Sequence, residues 1–194
     1  MNNQNMFDEK KATEGIKIFL EAFGLNLKSD GLIETPKRIV NAYREFLGGN
    51  EEDNEKILST NFITQYEDMV IVKDIPFVSI CEHHFLPFWG KVHVSYLPKG
   101  KVVGLSKIAR LVDNIAKQPQ IQERLTREIA DIIQSYLNTD GVAVVMKAQH
   151  SCMSFRGVKK SGAELITSAM NGNFRDDAKT RHEFISMINM TTSI

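Results

Sequence analysis

The chain has 194 residues, of which 42% are hydrophobic and 25% charged, a composition typical of a globular protein of one domain with at most a small appendage. Lysine plus arginine equals aspartate plus glutamate, at 24 each, which argues against a dedicated nucleic-acid-binding protein because such proteins carry a basic excess. The polar N terminus lacks the apolar segment of a signal peptide, and the longest apolar run, GVAVVM, is too short to cross a membrane. We therefore expect a cytoplasmic protein with no membrane or nucleic-acid partner.

Two helices are predicted near the N terminus. The first covers residues 8–24, and the second covers the stretch ETPKRIVNAYREFLGG, with Pro36 in its first turn and Gly48 and Gly49 just past its end. A polar stretch, NEEDNEKILST, follows. We therefore expect an N-terminal helical region, residues 1–60, and a second domain, residues 61–194.

The second domain mixes strand and helix patterns. MVIVKDIPFVSI is rich in β-branched residues, and GKVHVSYLP alternates so that Val92, Val94 and Tyr96 share one face. GLSKIARLVDNIAKQ and PQIQERLTREIADIIQSYLNT have helical spacing, with Leu105 and Ile108 opening the first apolar stripe. GVAVVMKAQHSCMSF is predicted as a strand that pairs with AELITSAMNGNF, and DAKTRHEFISMI as a short helix. This order predicts an α+β fold, a mostly antiparallel sheet with two long helices packed on one face.

A possible metal site lies in the stretch SICEHHFLPFWG, where Cys81 and His84 form a C-x-x-H pair. A structural zinc site would need a second such pair, but the only other cysteine, Cys152, follows 71 positions later. Two thiolates and one imidazole leave a fourth position open for water, as in catalytic zinc sites. The alternative is that both cysteines are small buried residues and that His84 is a hydrogen-bonded core histidine.

Two further histidines, His83 and His150, flank these three residues in the sequence. A histidine that lies beside a metal without binding it can donate or accept a proton during catalysis. It can also serve only to orient a metal ligand. Glu82 is expected to be structural, although it could steer an imidazole.

The segments CEHHFLPFWGKVHVSYLPKGKVVGLSKIARL, QIQERLT, HSCMSFRGV and TRHEF resemble GTP cyclohydrolase I, in the same order from about residue 30 to the C terminus. The resemblance implies a zinc enzyme that converts GTP and water to formate and 7,8-dihydroneopterin triphosphate, for folate, biopterin or modified-nucleoside synthesis. It implies the tunnelling fold (T-fold), a homodecamer of two pentamers and active sites between subunits, and it is compatible with allosteric control. It assigns the metal to Cys81, His84 and Cys152, and proton transfer to His83 and His150.

Cations suited to a triphosphate lie mainly on one predicted helix. Lys107 and Arg110 are three residues apart and share a helix face, which could equally be a solvated surface. The resemblance places both on the triphosphate together with Arg156, and places Ser106 near the ribose. It also suggests that Arg38 reaches the triphosphate of a neighbouring subunit.

The next helix opens with Gln122 and Glu123, which the resemblance assigns to substrate binding. Glu123 would accept hydrogen bonds from the amine and ring N–H of guanine. Its alternative role is that of an acid placed favourably at the positive end of a helix dipole.

Two other functions fit parts of the sequence. A scaffold stabilised by zinc would need a fourth protein ligand and would have no use for two spare histidines. A different T-fold enzyme acting on a pterin or purine could keep the metal, but Glu123 together with Lys107, Arg110 and Arg156 favours a triphosphorylated guanine.

Overall fold

The computed structural model describes residues 7–49 and 53–190. The chain divides into two units, the first ending at Leu47 and the second beginning at Gly48. The sequence analysis places this boundary later, after residue 60. The difference arises because Ile57 and Leu58, which precede residue 60, are buried in the core of the second unit.

The first unit contains the two predicted helices, α1 (Glu9–Ala22) and α2 (Thr35–Phe46). Asp8 caps α1 by accepting a hydrogen bond from the backbone N–H of Lys11, and Pro36 lies in the first turn of α2, as the sequence predicts. No residue of α1 is buried.

The second unit combines helices and strands. Its helices are α3 (Asn54–Leu58), α4 (Leu105–Ala116), α5 (Gln122–Leu137), α6 (Ser151–Ser154), α7 (Asn173–Asp176) and α8 (Ala178–Asn189). Its strands are β1 (Asn61–Ile63), β2 (Val70–Cys81), β3 (Leu86–Tyr96), β4 (Lys101–Val103), β5 (Pro119–Gln120), β6 (Gly141–His150) and β7 (Leu165–Gly172). No helix in the described ranges combines the length and the apolar composition needed to cross a membrane.

The main sheet has the strand order β5-β2-β3-β6-β7. All neighbouring strands are antiparallel except β2 and β5, and the predicted pairing of β6 with β7 is confirmed. Strands β1 and β4 form a separate antiparallel pair. The predicted α+β class with a mostly antiparallel sheet is therefore confirmed.

The principal core lies between one face of this sheet and the long helices α4 and α5, as predicted. Val92, Val94 and Tyr96 of β3 are buried there. Leu105 does not continue the predicted apolar stripe: it occupies the first position of α4 and is 70% exposed.

The opposite face of the sheet carries α8. Phe174 and Phe184 pack there against Ala143, whose neighbours on β6, Val142 and Val144, point into the principal core. The side chains of a strand alternate between the two faces of its sheet, so this smaller cluster covers the second face.

Candidate active site

Cys81 and His84 come together at a tight turn between β2 and β3. Cys81 is the last residue of β2, and its carbonyl accepts a hydrogen bond from the backbone N–H of Phe85 at 2.8 Å. Phe85 adopts a left-handed backbone conformation with φ of 56°. This turn places His84 Nδ1 3.9 Å from Cys81 Sγ.

Cys152 lies beside these two residues because it follows shortly after the end of β6, the strand that pairs with β3. The antiparallel pairing of β3 with β6 sets His150 opposite Phe88, and the chain leaves the sheet at the next residue. The strand predicted for GVAVVMKAQHSCMSF therefore ends earlier than expected, because Ser151 starts α6 and its hydroxyl donates to the carbonyl of Pro87. Cys152 lies on this short helix rather than on a strand.

The ligand atoms of Cys81, His84 and Cys152 lie within 4.8 Å of one another. A tetrahedral zinc ion with bonds of about 2.3 Å to sulfur and about 2.1 Å to nitrogen keeps its ligand atoms roughly 3.5–3.8 Å apart. Burial raises the pKa of the Cys152 thiol and the neighbouring Cys81 raises it further, so two adjacent thiolates need a cation to balance their charge. Within the described residues no fourth histidine, cysteine or carboxylate joins this group. The residues present fit a zinc ion with an open position.

His150 is held on two sides. Its ring lies flat on the ring of Phe88, with centroids 4.5 Å apart and planes 5° apart. Its Nε2 atom lies 2.9 Å from Oε1 of Gln122. Burial lowers the pKa of His150, and the nearby carboxylate of Glu123 acts in the opposite direction. A half-buried imidazole with a fixed ring plane next to a metal cluster is suited to proton transfer.

His83 lies on the exposed side of the turn. Its side chain is 65% exposed, and its ring is 6.3 Å from that of His84. Its Nε2 atom is 3.9 Å from a carboxylate oxygen of Glu82. Glu82 also pairs with Arg124 of α5, so it connects the turn to that helix. This position leaves His83 free to meet a substrate.

Two of the predicted substrate residues lie near the cluster. Glu123 stands exposed in the first turn of α5, close enough to influence the pKa of His150. Arg156 is also exposed, and its positive charge opposes the rise in the pKa of Cys152. Both side chains can therefore approach a molecule bound at the cluster.

The predicted residues of α4 lie elsewhere. Ser106 and Lys107 are in its first turn and Arg110 follows one turn later, whereas the far end of the helix adjoins β2, where Ser79 donates to the carbonyl of Ala116. Lys107 and Arg110 form no ion pair with any carboxylate in the described ranges. These residues lie toward the end of α4 that is remote from its contact with β2.

Arg38 lies on α2, in the first unit, and its role remains a prediction.

A cavity of about 620 Å³ opens on the second face of the sheet, away from Phe88 and His150. It is lined by Lys91, His93 and Lys147, among others. Its lining includes none of Cys81, His84, His150 and Cys152, which argues against its being the reaction site.

The sequence analysis missed the polar contacts behind His150. Gln122 is only 1% exposed, so its amide lies in the interior rather than on an open surface. It contacts Thr167 of β7, which in turn contacts Thr126 of α5. No spacing rule pairs these threonines, because they meet only when β7 packs beside α5.

Comparison with known proteins gives one consistent result. The GTP cyclohydrolase I family matches residues 12–189 of this chain. A protein named GTP cyclohydrolase 1 from Pelotomaculum thermopropionicum is 53% identical over 184 residues, covering 94% of this chain and 98% of its own length. Proteins of the same name from Carboxydothermus hydrogenoformans and Clostridium perfringens are 50% and 48% identical, covering 94% and 95% of this chain and 96% and 100% of their own lengths.

Proposed function

Because this chain belongs to the GTP cyclohydrolase I family, a family of hydrolases, we propose that it converts GTP and water to 7,8-dihydroneopterin triphosphate and formate in pterin and folate synthesis. The observation that carries the proposal is the cluster of Cys81, His84 and Cys152, with His150 held beside it. A purely structural zinc site would normally have four protein ligands.

We further propose that Cys81, His84 and Cys152 hold a zinc ion. When bound, zinc lowers the pKa of a coordinated water to near neutrality and so supplies a nucleophile for hydrolysis. The two thiolates offset the charge of the ion, and the turn closed by the Phe85 N–H keeps His84 in reach of Cys81.

Proton transfer falls to the two remaining histidines. His150, fixed against Phe88, is suited to accept the proton of the attacking water and pass it to the imidazole nitrogen of guanine as the ring opens. His83, on the exposed side of the turn, is suited to the later proton transfers in which the ribose opens and the pterin ring closes. Part of the apolar stretch Phe85–Trp89 is buried and limits the access of bulk water.

Substrate recognition combines one carboxylate with several cations. Glu123 accepts two hydrogen bonds from the guanine edge, and Arg156 contacts the triphosphate. Lys107 and Arg110 bind the phosphates and Ser106 contacts the ribose. Guanidinium groups suit phosphate oxygens because they donate two parallel hydrogen bonds.

The assembly is proposed to be a homodecamer of two pentamers with the T-fold arrangement of sheets. The position of the α4 cations, toward the end of the helix remote from its contact with β2, supports an active site shared between subunits. Arg38 is proposed to contribute from a further subunit. The cluster residues all lie in the second unit, which we regard as the catalytic part of the chain.

The test is incubation of the purified enzyme with GTP, followed by oxidation and detection of fluorescent neopterin triphosphate, with formate measured in parallel. Both products should appear in equal amounts, and removal of zinc by a chelator should abolish them. Absence of both products from zinc-loaded enzyme would refute the proposed function.

A further inference from the structure

A buried polar network surrounds the side chain of Gln122. Its Nε2 lies 3.3 Å from the carbonyl oxygen of Met146, 3.1 Å from that of Leu165 and 3.1 Å from Oγ1 of Thr167. These contacts join the start of α5 to β6 and β7. The sequence analysis assigns Gln122 to substrate binding, which stays a prediction; its side-chain nitrogen is committed to the protein interior.

The network allows only one orientation of the amide. Two of the three neighbours of Nε2 are carbonyl oxygens, which accept hydrogen bonds and cannot donate them. Exchanging the amide oxygen and nitrogen would set Oε1 against both carbonyls. The nitrogen of Gln122 must therefore face Met146 and Leu165, and its oxygen must face His150.

The direction of the hydrogen bonds agrees with this orientation. The hydroxyl of Thr126 donates to the backbone carbonyl of Gln122 at 2.7 Å, as in a bond across one helical turn. The hydroxyl of Thr167 can then donate to Thr126 Oγ1, 2.6 Å away, and accept from Gln122 Nε2. The two N–H hydrogens of Gln122 face three acceptors, on Met146, Leu165 and Thr167, so one hydrogen is shared between two of them.

We propose that Gln122 is a positioning residue that fixes His150 as the Nε2–H tautomer, so that the ring exchanges protons with substrate at Nδ1. The amide oxygen only accepts, so the His150 nitrogen 2.9 Å away must carry a hydrogen. Phe88 sets the plane of the ring and Gln122 sets its rotation within that plane. Among the described residues Nδ1 has no hydrogen-bond partner, and it is the ring nitrogen left for the substrate.

This inference rests on the proposed function, because it assigns a direction to a proton transfer in that reaction. Its tests separate three roles for Gln122: positioning His150, binding substrate, and packing. Gln122→Met keeps the side-chain volume but loses both polar atoms. Gln122→Glu keeps an oxygen acceptor facing His150, and in its protonated form keeps a donor toward the carbonyls of Met146 and Leu165.

We expect Gln122→Met to lower kcat about 10²- to 10⁴-fold, the usual contribution of a general acid or base, with KM for GTP nearly unchanged. Gln122→Glu should retain about 10- to 100-fold more activity than Gln122→Met. Because burying a carboxyl is costly, the Glu variant should be no more stable than the Met variant, so its higher activity would not follow from stability. Both measurements use zinc-loaded enzyme with its metal content checked. A packing role predicts that activity follows stability, and a substrate-binding role predicts a raised KM at similar kcat; either result would overturn the proposal.

The tautomer can also be observed in the unaltered enzyme. Nitrogen-15 NMR of zinc-loaded, histidine-labelled wild type, sedimented for magic-angle spinning, distinguishes the two neutral forms of imidazole. The signal of His150 is identified by its loss in His150→Asn. We expect Nε2–H, and an Nδ1–H ring would refute the inference even if both Gln122 variants failed to fold. If the wild type failed to convert GTP, the proposed function would be wrong. The NMR measurement would still show which tautomer His150 adopts.

Discussion

The hydroxyl of Ser79 donates a hydrogen bond to the carbonyl of Ala116 at 2.7 Å, which joins the last turn of α4 to the strand that ends at Cys81. Lys107 stands near the opposite end of α4, about 14 Å away along the axis at 1.5 Å per residue. Cys81 lies about 7 Å further along β2 than Ser79. We therefore expect the cations proposed to bind phosphate in one chain to serve the proposed zinc site of another.

This arrangement predicts complementation between inactive variants. Lys107→Ala and Cys152→Ala should each be nearly inactive alone. In mixed oligomers formed by co-expression, roughly one site in four should receive an intact Lys107 and an intact Cys152 from different chains, and activity should return accordingly. Assay of the mixture against each variant alone checks this. Mixed oligomers without activity would indicate that both residues serve a site within one chain.

Removal of Cys152 tests the metal site. Cys152→Ala should reduce bound zinc from about one ion per chain to a small residue and should abolish turnover, because the cluster retains only two ligands. Metal analysis and the GTP assay on the same samples measure both effects. Ser154→Ala is the matched control on α6: among the described residues its buried hydroxyl has no hydrogen-bond partner, so its loss should leave the zinc in place. Full zinc occupancy in Cys152→Ala would show that Cys152 is not a ligand.

Base selection is expected to depend on Glu123. Each hydrogen bond to a charged group contributes about 1.5–3 kcal/mol, so losing two should lower kcat/KM for GTP about 10²- to 10⁴-fold in Glu123→Ala. ITP lacks the exocyclic amine, so wild type should prefer GTP over ITP by about 10- to 100-fold. The variant should lose this preference while keeping its zinc and its oligomeric state.

The control for Glu123→Ala is Asp131→Ala. Asp131 is an exposed acid on the same helix, where it pairs with Arg127. Steady-state kinetics with GTP and ITP on both variants make the comparison. An unchanged preference for GTP in Glu123→Ala would leave Glu123 as no more than a favourable acid at the start of α5.

The stability of the second unit should depend on His93. Its Nδ1 accepts a hydrogen bond from the backbone N–H of Asp74 at 3.1 Å, and burial lowers its pKa, with Lys91 and Lys73 adding to this effect and Asp74 opposing it. The unfolded chain therefore binds a proton more readily than the folded one. The contribution of neutral His93 to stability is complete above the unfolded pKa of about 6.5 and is lost as pH falls toward the lower folded value.

His93→Asn offers a similarly placed acceptor that does not titrate. Its unfolding midpoint should fall less than that of wild type between about pH 7 and pH 5. Thermal or denaturant unfolding at several pH values measures the difference. His182→Asn, which removes an exposed imidazole from α8, should follow the wild-type curve. Parallel curves for wild type and His93→Asn would contradict this account.

Local patterns in the sequence predict most of the secondary structure. Alternation identifies β3, helical spacing identifies α4 and α5, and the spacing of Cys81 and His84 identifies two of the three cluster residues. These signals repeat over a few residues, so they can be read without knowing which elements become neighbours.

Features that depend on distant neighbours could not be predicted in the same way. Cys152 lies on a short helix because Ser151 bonds to Pro87, which belongs to another strand. Gln122 is buried because β6 and β7 supply acceptors for its amide. The position of α8 on the second face likewise depends on the packing of Phe184 against Ala143 of β6, which cannot be predicted from the local sequence of either element.

The separation of Cys81 and Cys152 in the sequence has a consequence for folding kinetics. Bringing them together closes a loop of 71 positions, and contacts between distant residues form slowly because the chain must first lose the entropy of that loop. An unfolded chain offers a metal only local groups of ligands, Cys81 with the adjacent histidines or His150 with Cys152, and not the complete set. We therefore expect tight zinc binding to occur only after β3 has paired with β6. The rate of zinc uptake should then report how fast the sheet forms, and bound zinc should slow the unfolding of the sheet.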